Sequence, residues 1–124
     1  MEFRFEKKIS KIHGQGIFAK DKIPTNIQFY KIPLDIVFNE PKSKCAKIAT
    51  NQFVFDDKIL NWINHSCNPN SELNLNKKEP VLISLKEILS GEEITVDYNL
   101  TEIGGKKTPC TCNAFNCKKY FKRL

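Results

Sequence analysis

Apolar positions along this chain come in short groups, broken by glycine, proline or polar runs, and none sustains the period of a long helix. Phe3 to Ile9 alternate loosely and predict a strand. The next stretch, HGQGIFA (His13 to Ala19), spaces two glycines by one residue and permits a tight backbone path where a ligand can approach. Asn26 to Phe38 is aromatic and β-branched but interrupted by Pro33, which predicts two short strands joined by a bend. Glu40 to Asn51 is polar, with room for a helical turn or two at most, whereas Asp56 to Asn64 predicts a short helix capped by Asp56 or Asp57. Val81 to Leu85 and Glu93 to Tyr98 read as strands flanking a turn at Ser90 and Gly91. In the second of these, a period of two puts Ile94, Val96 and Tyr98 on one face, so Tyr98 is expected to point inward. The pattern describes a mostly β protein of short strands, low in helix.

Size and charge narrow this only a little. At 124 residues a single domain with one modest core is expected, and 40% hydrophobic with 27% charged residues is the composition of a folded chain. The formal charge of +6 favours acidic partners or nucleic acid weakly, since a solvated basic surface gives the same number. No apolar run reaches bilayer-spanning length, and the first ten residues lack a signal-peptide core. The expectation is an intracellular protein of the reducing cytoplasm or nucleus, or one delivered into another cell by a route needing no cleavable signal, with no membrane contact. Five cysteines without a secretion signal disfavour a disulfide framework.

The placement of those cysteines changes the picture. Thr101 to Pro109 reads as a flexible connector containing Gly104 and Gly105, and it leads into CTCNAFNC, with Cys110, Cys112 and Cys117 spaced C-x-C-x4-C. Structural zinc takes four tetrahedral ligands, and this tail supplies three of them. Cys45 and Cys67 are the candidates for the fourth, with His13 and His65 behind them. If Cys67 completes the set, the tail is stapled onto WINHSCNPN (Trp62 to Asn70), which concentrates one of two histidines, a cysteine, three asparagines and a proline in nine residues.

Four blocks in order, HGQGIFA, INHSCNPN, GEEITVDY and CTCNAFNCKKYF, resemble the SET domain family of S-adenosylmethionine-dependent protein lysine methyltransferases. The resemblance runs from about Ile9 to Phe121. It implies a fold of several small sheets with a knot-like C-terminal threading, divided as a SET domain (1–100), a connector (101–109) and a post-SET-like zinc tail (110–124). It also implies that Gly14, Gln15, Gly16, Asn64, His65 and Tyr120 bind the cofactor, that Cys67 is the fourth zinc ligand beside Cys110, Cys112 and Cys117, and that Tyr98 is the catalytic tyrosine. Tyr30 takes the place of an aromatic lining the lysine channel beside Tyr98, with Phe53 and Phe55 as further apolar wall; plain core is the competing reading for all three. His65 is expected to fix the site by hydrogen bonding.

Elementary chemistry agrees with that assignment. A lysine ammonium at pH 7 lies about 3.4 units below its pKa, so exposing the nucleophilic amine costs about 4.6 kcal/mol. An apolar channel disfavours the charged form, and a fixed phenol can align the lone pair. Val96, two residues before Tyr98, stands where the family often carries Phe or Tyr, and its smaller side chain leaves room for di- or trimethyl-lysine.

The chain also departs from the family pattern. Asn26 and Asn113 stand where glycines are common, Asn61 replaces a frequent arginine, and the 40–51 region that shapes peptide choice is short. The expected activity is methyl transfer to a lysine of a protein, with histone tails as the family's commonest substrates. Two other classes compete: a catalytically silent SET-like module that binds proteins, and a zinc-stabilised nucleic-acid binder. The latter, or a weak contact with DNA or nucleosomes, would use Lys106, Lys107, Lys118, Lys119, Lys122 and Arg123.

Overall fold

A computed structural model describes residues 3–75, 79–102 and 105–124. The opening strands form an antiparallel hairpin, β1 (Phe5–Ile9) and β2 (Gln15–Ala19), in register Phe5 with Ala19 and Ile9 with Gln15. Ser10 N–H closes the turn on Gly14 O at 2.8 Å, and Gly14 itself sits at φ +47°, a conformation side chains disfavour.

Pro33 divides the next region as expected, into β3 (Gln28–Lys31) and β4 (Val37–Phe38). The polar stretch after it holds a strand, β5 (Ala46–Ala49), which pairs with β6 (Gln52–Val54). Its AKIA sequence carries no strand signal of its own; the pairing partner supplies one. The expected helix after Asp56 is a single 3-10 turn, Leu60–Trp62. Asp56 does cap the segment, accepting the N–H groups of Lys58 at 3.2 Å and Leu60 at 3.0 Å.

Beyond it lie β7 (Asn64–His65), β8 (Ser71–Asn74) and β9 (Val81–Ser84). The last predicted strand shrinks to β10 (Thr95–Val96), since Asp97 caps a one-turn helix α1 (Tyr98–Thr101) by accepting Asn99 N–H at 2.9 Å. Tyr98 therefore opens a helix rather than continuing a strand. Thr95 is buried as well as Val96, against the expected alternation, because its hydroxyl oxygen accepts Asn70 N–H at 3.2 Å. In the tail, β11 (Lys106–Pro109) and β12 (Tyr120–Arg123) pair antiparallel. Lys106–Pro109 of the expected 101–109 connector is thus strand, four residues, while 103–104 lie outside the described residues.

Among the described residues the strands form five small sheets: β1-β2, β3-β9-β8, β4-β6-β5, the parallel pair β7-β10, and β11-β12. The core joins the first four of these through Ile17, Ile23, Val54, Ile63, Leu82, Ile88, Ile94 and Val96, none more than 2% exposed, while Phe121 packs β12 onto His65 and Tyr98. Each such side chain contributes about 1.5–3 kcal/mol of burial. Asn26 and Asn113 both adopt φ +62°, as glycine substitutes at those turns must. The β7 and β10 segments, 31 positions apart, pair side by side, and Phe121 of β12 stacks on His65 of that pair.

Candidate active site and cysteine cluster

The parallel β7-β10 pair fixes Asn64 opposite Thr95 and His65 opposite Val96. Asn64 is buried, and its amide Nδ2 donates to His13 O at 3.0 Å, Gln15 O at 3.2 Å and Glu93 Oε2 at 2.9 Å. Glu93 in turn accepts the Ser10 hydroxyl at 2.7 Å. One side chain thereby holds the glycine loop against the end of the GEEIT segment. Gly16 is required here for space: a Cβ would stand 2.2 Å from Glu93 Oε2. Asn70 does the parallel job further along, giving Nδ2 to Glu93 O at 2.8 Å and taking Thr95 N–H at 2.9 Å. Two of the three asparagines of the nine-residue block, Asn64 and Asn70, are thus clamps between distant segments, whereas the Asn68 N–H bonds locally to the Ser66 hydroxyl at 3.0 Å.

His65 is 2% exposed, and both its ring nitrogens are engaged. Nδ1 accepts Tyr98 N–H at 2.9 Å, which leaves the proton on Nε2, 3.4 Å from Cys67 Sγ. Burial pushes its pKa down, so the ring is neutral. It stacks on Phe121 at 4.5 Å between centroids and 10° between planes. With both nitrogens engaged, the His65 side chain has none left over for a ligand.

Tyr98 packs its ring edge-on to His65 and Phe121, and its hydroxyl donates to Ile63 O. Burial pushes the phenol pKa up, with Glu102 adding to the effect. The phenol is neutral at physiological pH. A cleft of about 240 Å³ opens beside it, lined by His13 to Gln15, Lys44 to Ala46, Leu60 to Trp62, Asn64, Val96, Thr101, Glu102 and the last two residues. Gly14, Gln15, Asn64, Val96 and Tyr98 are thus brought together as the sequence indicates.

Six of the expected catalytic, cofactor and channel residues do not line this cleft: Gly16 and His65, placed as above, and Tyr30, Phe53, Phe55 and Tyr120. Tyr30 donates its hydroxyl to Asp56 Oδ2 at 2.7 Å and packs edge-on to Phe5, while Phe53 is buried in β6 opposite Phe38. Phe55 follows β6, its N–H bonded to Ile36 O at 3.0 Å. Tyr120 is 48% exposed under the Lys107 ammonium, because strand alternation in β12 turns Phe121 and Arg123 inward instead. Arg123, read as part of a basic patch, accordingly belongs to the cleft wall.

Sequence reasoning missed Trp62, Lys44 and Glu102. Trp62 faces the cleft with the ammonium groups of Lys7 and Lys44 at 4.0 and 5.3 Å from its ring centroid. It stood within the quoted block, and only its aromatic character marked it. Glu102 carried one signal: no acidic residue follows it in the chain.

The sulfurs of Cys67, Cys110, Cys112 and Cys117 all lie within 4.8 Å of one another. A tetrahedron of Zn–S bonds near 2.3 Å has edges of about 3.8 Å, and Cys67 Sγ and Cys110 Sγ are 3.8 Å apart. The set fits a four-thiolate metal ion. Lys118 N–H points at Cys67 Sγ from 3.3 Å, and Asn116 Nδ2 donates to Cys67 O at 3.1 Å, so the loop between β11 and β12 folds around Cys67, just past the end of β7. Cys45, the alternative ligand, is buried in the cleft wall instead.

Comparison with known proteins bears on the same segments. The family model described as SET domain matches residues 14–99. Human Histone-lysine N-methyltransferase 2B is 31% identical over 150 residues, taking in 97% of this chain and 6% of the relative. The Histone-lysine N-methyltransferase, H3 lysine-4 specific, of Schizosaccharomyces pombe is 29% identical over 132 residues, 90% of this chain and 14% of the relative. The chain therefore spans a small part of these curated relatives. Among solved structures, the methyltransferase domain of human Histone-lysine N-methyltransferase SETMAR superposes with a TM-score of 0.65 at 19% identity, covering 97% of this chain and 59% of that one. KRYPTONITE in complex with mCHG DNA and SAH gives 0.66 at 23%, covering 97% and 29%. With most of its length inside that family model, the chain belongs to the SET domain family.

Proposed function

We propose that the chain is a protein lysine N-methyltransferase that uses S-adenosylmethionine. The observation that carries this reading is the neutral, fully positioned phenol of Tyr98 at the wall of a cleft shared with Gly14, Gln15, Asn64 and Val96. The residues present fit the cofactor by donor chemistry. The backbone of 13–15 and the Trp62 face would hold its adenosyl part, and Lys44 and Arg123 its carboxylate. When bound, it supplies a methyl group on a positively charged sulfur.

The protein's own groups do the rest. The substrate ammonium loses its proton to solvent before the amine enters, because leaving water disfavours the charged form. Tyr98, too high in pKa to act as a base, keeps its proton and its fixed position beside the reacting atoms. With the methyl donor bound, the amine held beside Tyr98 would take up the methyl group, and the donor sulfur would keep the electron pair of its former bond to that carbon. Val96 limits the space less than a larger side chain would, which favours di- and trimethyl-lysine products.

The substrate class that the relatives' names support is a histone tail, and the tetrathiolate set is assigned to one structural zinc. Five free thiols suit the reducing cytoplasm or nucleus. Lys106, Lys107, Lys118, Lys119 and Lys122 are exposed and offer a weak contact to nucleosomal DNA. The test is transfer of a labelled methyl group to core histones by the zinc-loaded protein beside Tyr98→Phe. Methyl-lysine that falls at least a hundredfold in the variant supports the enzyme. Cofactor binding without any transfer to protein would favour a silent module.

A further inference from the structure

Glu102 is 6% exposed, stands at the end of α1 and shares the cleft wall with Tyr98 and Arg123. Among the described residues its carboxylate accepts one hydrogen bond, from Leu124 N–H to Oε1 at 2.8 Å. No ion pair there includes it. Arg123 sets its guanidinium over the Phe121 and Tyr98 rings, at 5.1 and 5.9 Å from their centroids. A carboxylate that is buried and not neutralised by a cation is costly, and such groups persist where a ligand completes them. The plain alternative, a core acid kept protonated, has no need of a place on a cleft wall.

We propose that Glu102 is the anionic recognition group for the positive charge of the methyl donor. This rests on the cleft taking S-adenosylmethionine, which carries two organic cations, an ammonium and a sulfonium. Burial raises the Glu102 carboxyl to about 7, with the Leu124 amide and Arg123 pulling the other way. The other titratable or charged side chains facing the same space are Tyr98 on α1, Cys45 beside β5, His13 in the glycine loop, Lys44 and Arg123. A cation entering the cleft favours the ionised carboxylate, so binding near pH 7 releases a proton from Glu102.

The experiment is calorimetric titration of the zinc-loaded wild type and Glu102→Gln with S-adenosylmethionine, S-adenosylhomocysteine and methylthioadenosine. Glutamine keeps the acceptor for Leu124 N–H and removes the charge. The expected result is binding of S-adenosylmethionine weakened about tenfold or more in the variant, with methylthioadenosine, which has neither cation, unchanged. If S-adenosylhomocysteine weakens equally, the ammonium is the group recognised; if it does not, the sulfonium is. Equal weakening of all three, or of none, overturns the assignment. Titration of the wild type alone in two buffers of different ionisation enthalpy provides a check that no variant is needed for: proton release at pH 7 is expected, and its absence contradicts the proposal. A wild type that binds none of the three overturns the methyl-donor reading itself, whereas normal wild-type binding with an unaltered variant removes only the role of Glu102.

Discussion

His65 Nδ1 accepts the backbone N–H of Tyr98 at 2.9 Å, and the other nitrogen of the same ring faces Cys67 Sγ at 3.4 Å. One buried imidazole therefore links the start of α1 to the cysteine cluster. Replacing His65 by alanine leaves the Tyr98 N–H without its partner and removes the stack on Phe121. A loss of about 3 kcal/mol is expected from the cavity and the orphaned donor together, read by urea denaturation of wild type and variant. A change under 0.5 kcal/mol would show that the ring does not bridge the two sites.

The metal assignment separates the cysteines by role. Cys67→Ser and Cys112→Ser should each reduce bound zinc from one equivalent per chain to a small fraction, and Cys45→Ser should leave it unchanged. Elemental mass spectrometry of the purified proteins reads this directly. Retention of full zinc by both of the first two variants is the adverse result.

Glu102 makes a pH dependence. Its carboxyl is raised by burial from the usual 4.5 to about 7, so between those values the folded chain holds a proton that the unfolded chain has lost. Stability from this group is complete below about pH 4.5 and declines as pH rises to about 7, by no more than about 3 kcal/mol. Denaturation midpoints of ligand-free wild type and Glu102→Gln across pH 5 to 8, a range of about three units, should converge at the acid end and diverge toward neutrality, with the variant the more stable. Parallel curves would remove the titration.

Gly16→Ala tests the clamp on the glycine loop. A methyl group there meets the Glu93 carboxylate, which is already held by Ser10 and Asn64, so strain of about 1–3 kcal/mol is expected. Adding Glu93→Ala to the same chain should recover part of the loss that each change causes alone. Strict additivity in a double-mutant cycle would contradict the contact.

Much of this arrangement was legible in the sequence because it rests on short blocks. The spacing of Cys110, Cys112 and Cys117 pointed to a metal, and the family resemblance named Cys67 as their partner. Pro33 and the Ser90-Gly91 turn marked real breaks, with Gly91 at φ +90°. Other features were set by tertiary contacts. The AKIA strand exists because β6 lies beside it, and Thr95 is buried because Asn70 takes its hydrogen bonds. Asp97 was a cap signal hidden by an alternating pattern that ran through it. Tyr120 was placed by analogy one residue away from the side chains that β12 turns inward. No local pattern shows that Glu102 is buried with no ion-pair partner among the described residues, since this depends on the whole cleft closing around it.

The central claim is methyl transfer to lysine with Tyr98 at the reacting centre. The most direct measurement is mass spectrometry of a histone H3 tail peptide incubated with S-adenosylmethionine and the zinc-loaded chain, beside Tyr98→Phe, whose fold should cost only about 1 kcal/mol for the hydrogen bond lost to Ile63 O. Stepwise gain of two or three methyl groups on one lysine, falling at least a hundredfold in the variant, is the predicted result. Equal methylation by Tyr98→Phe, or cofactor bound with no lysine on any histone gaining mass, would contradict the account.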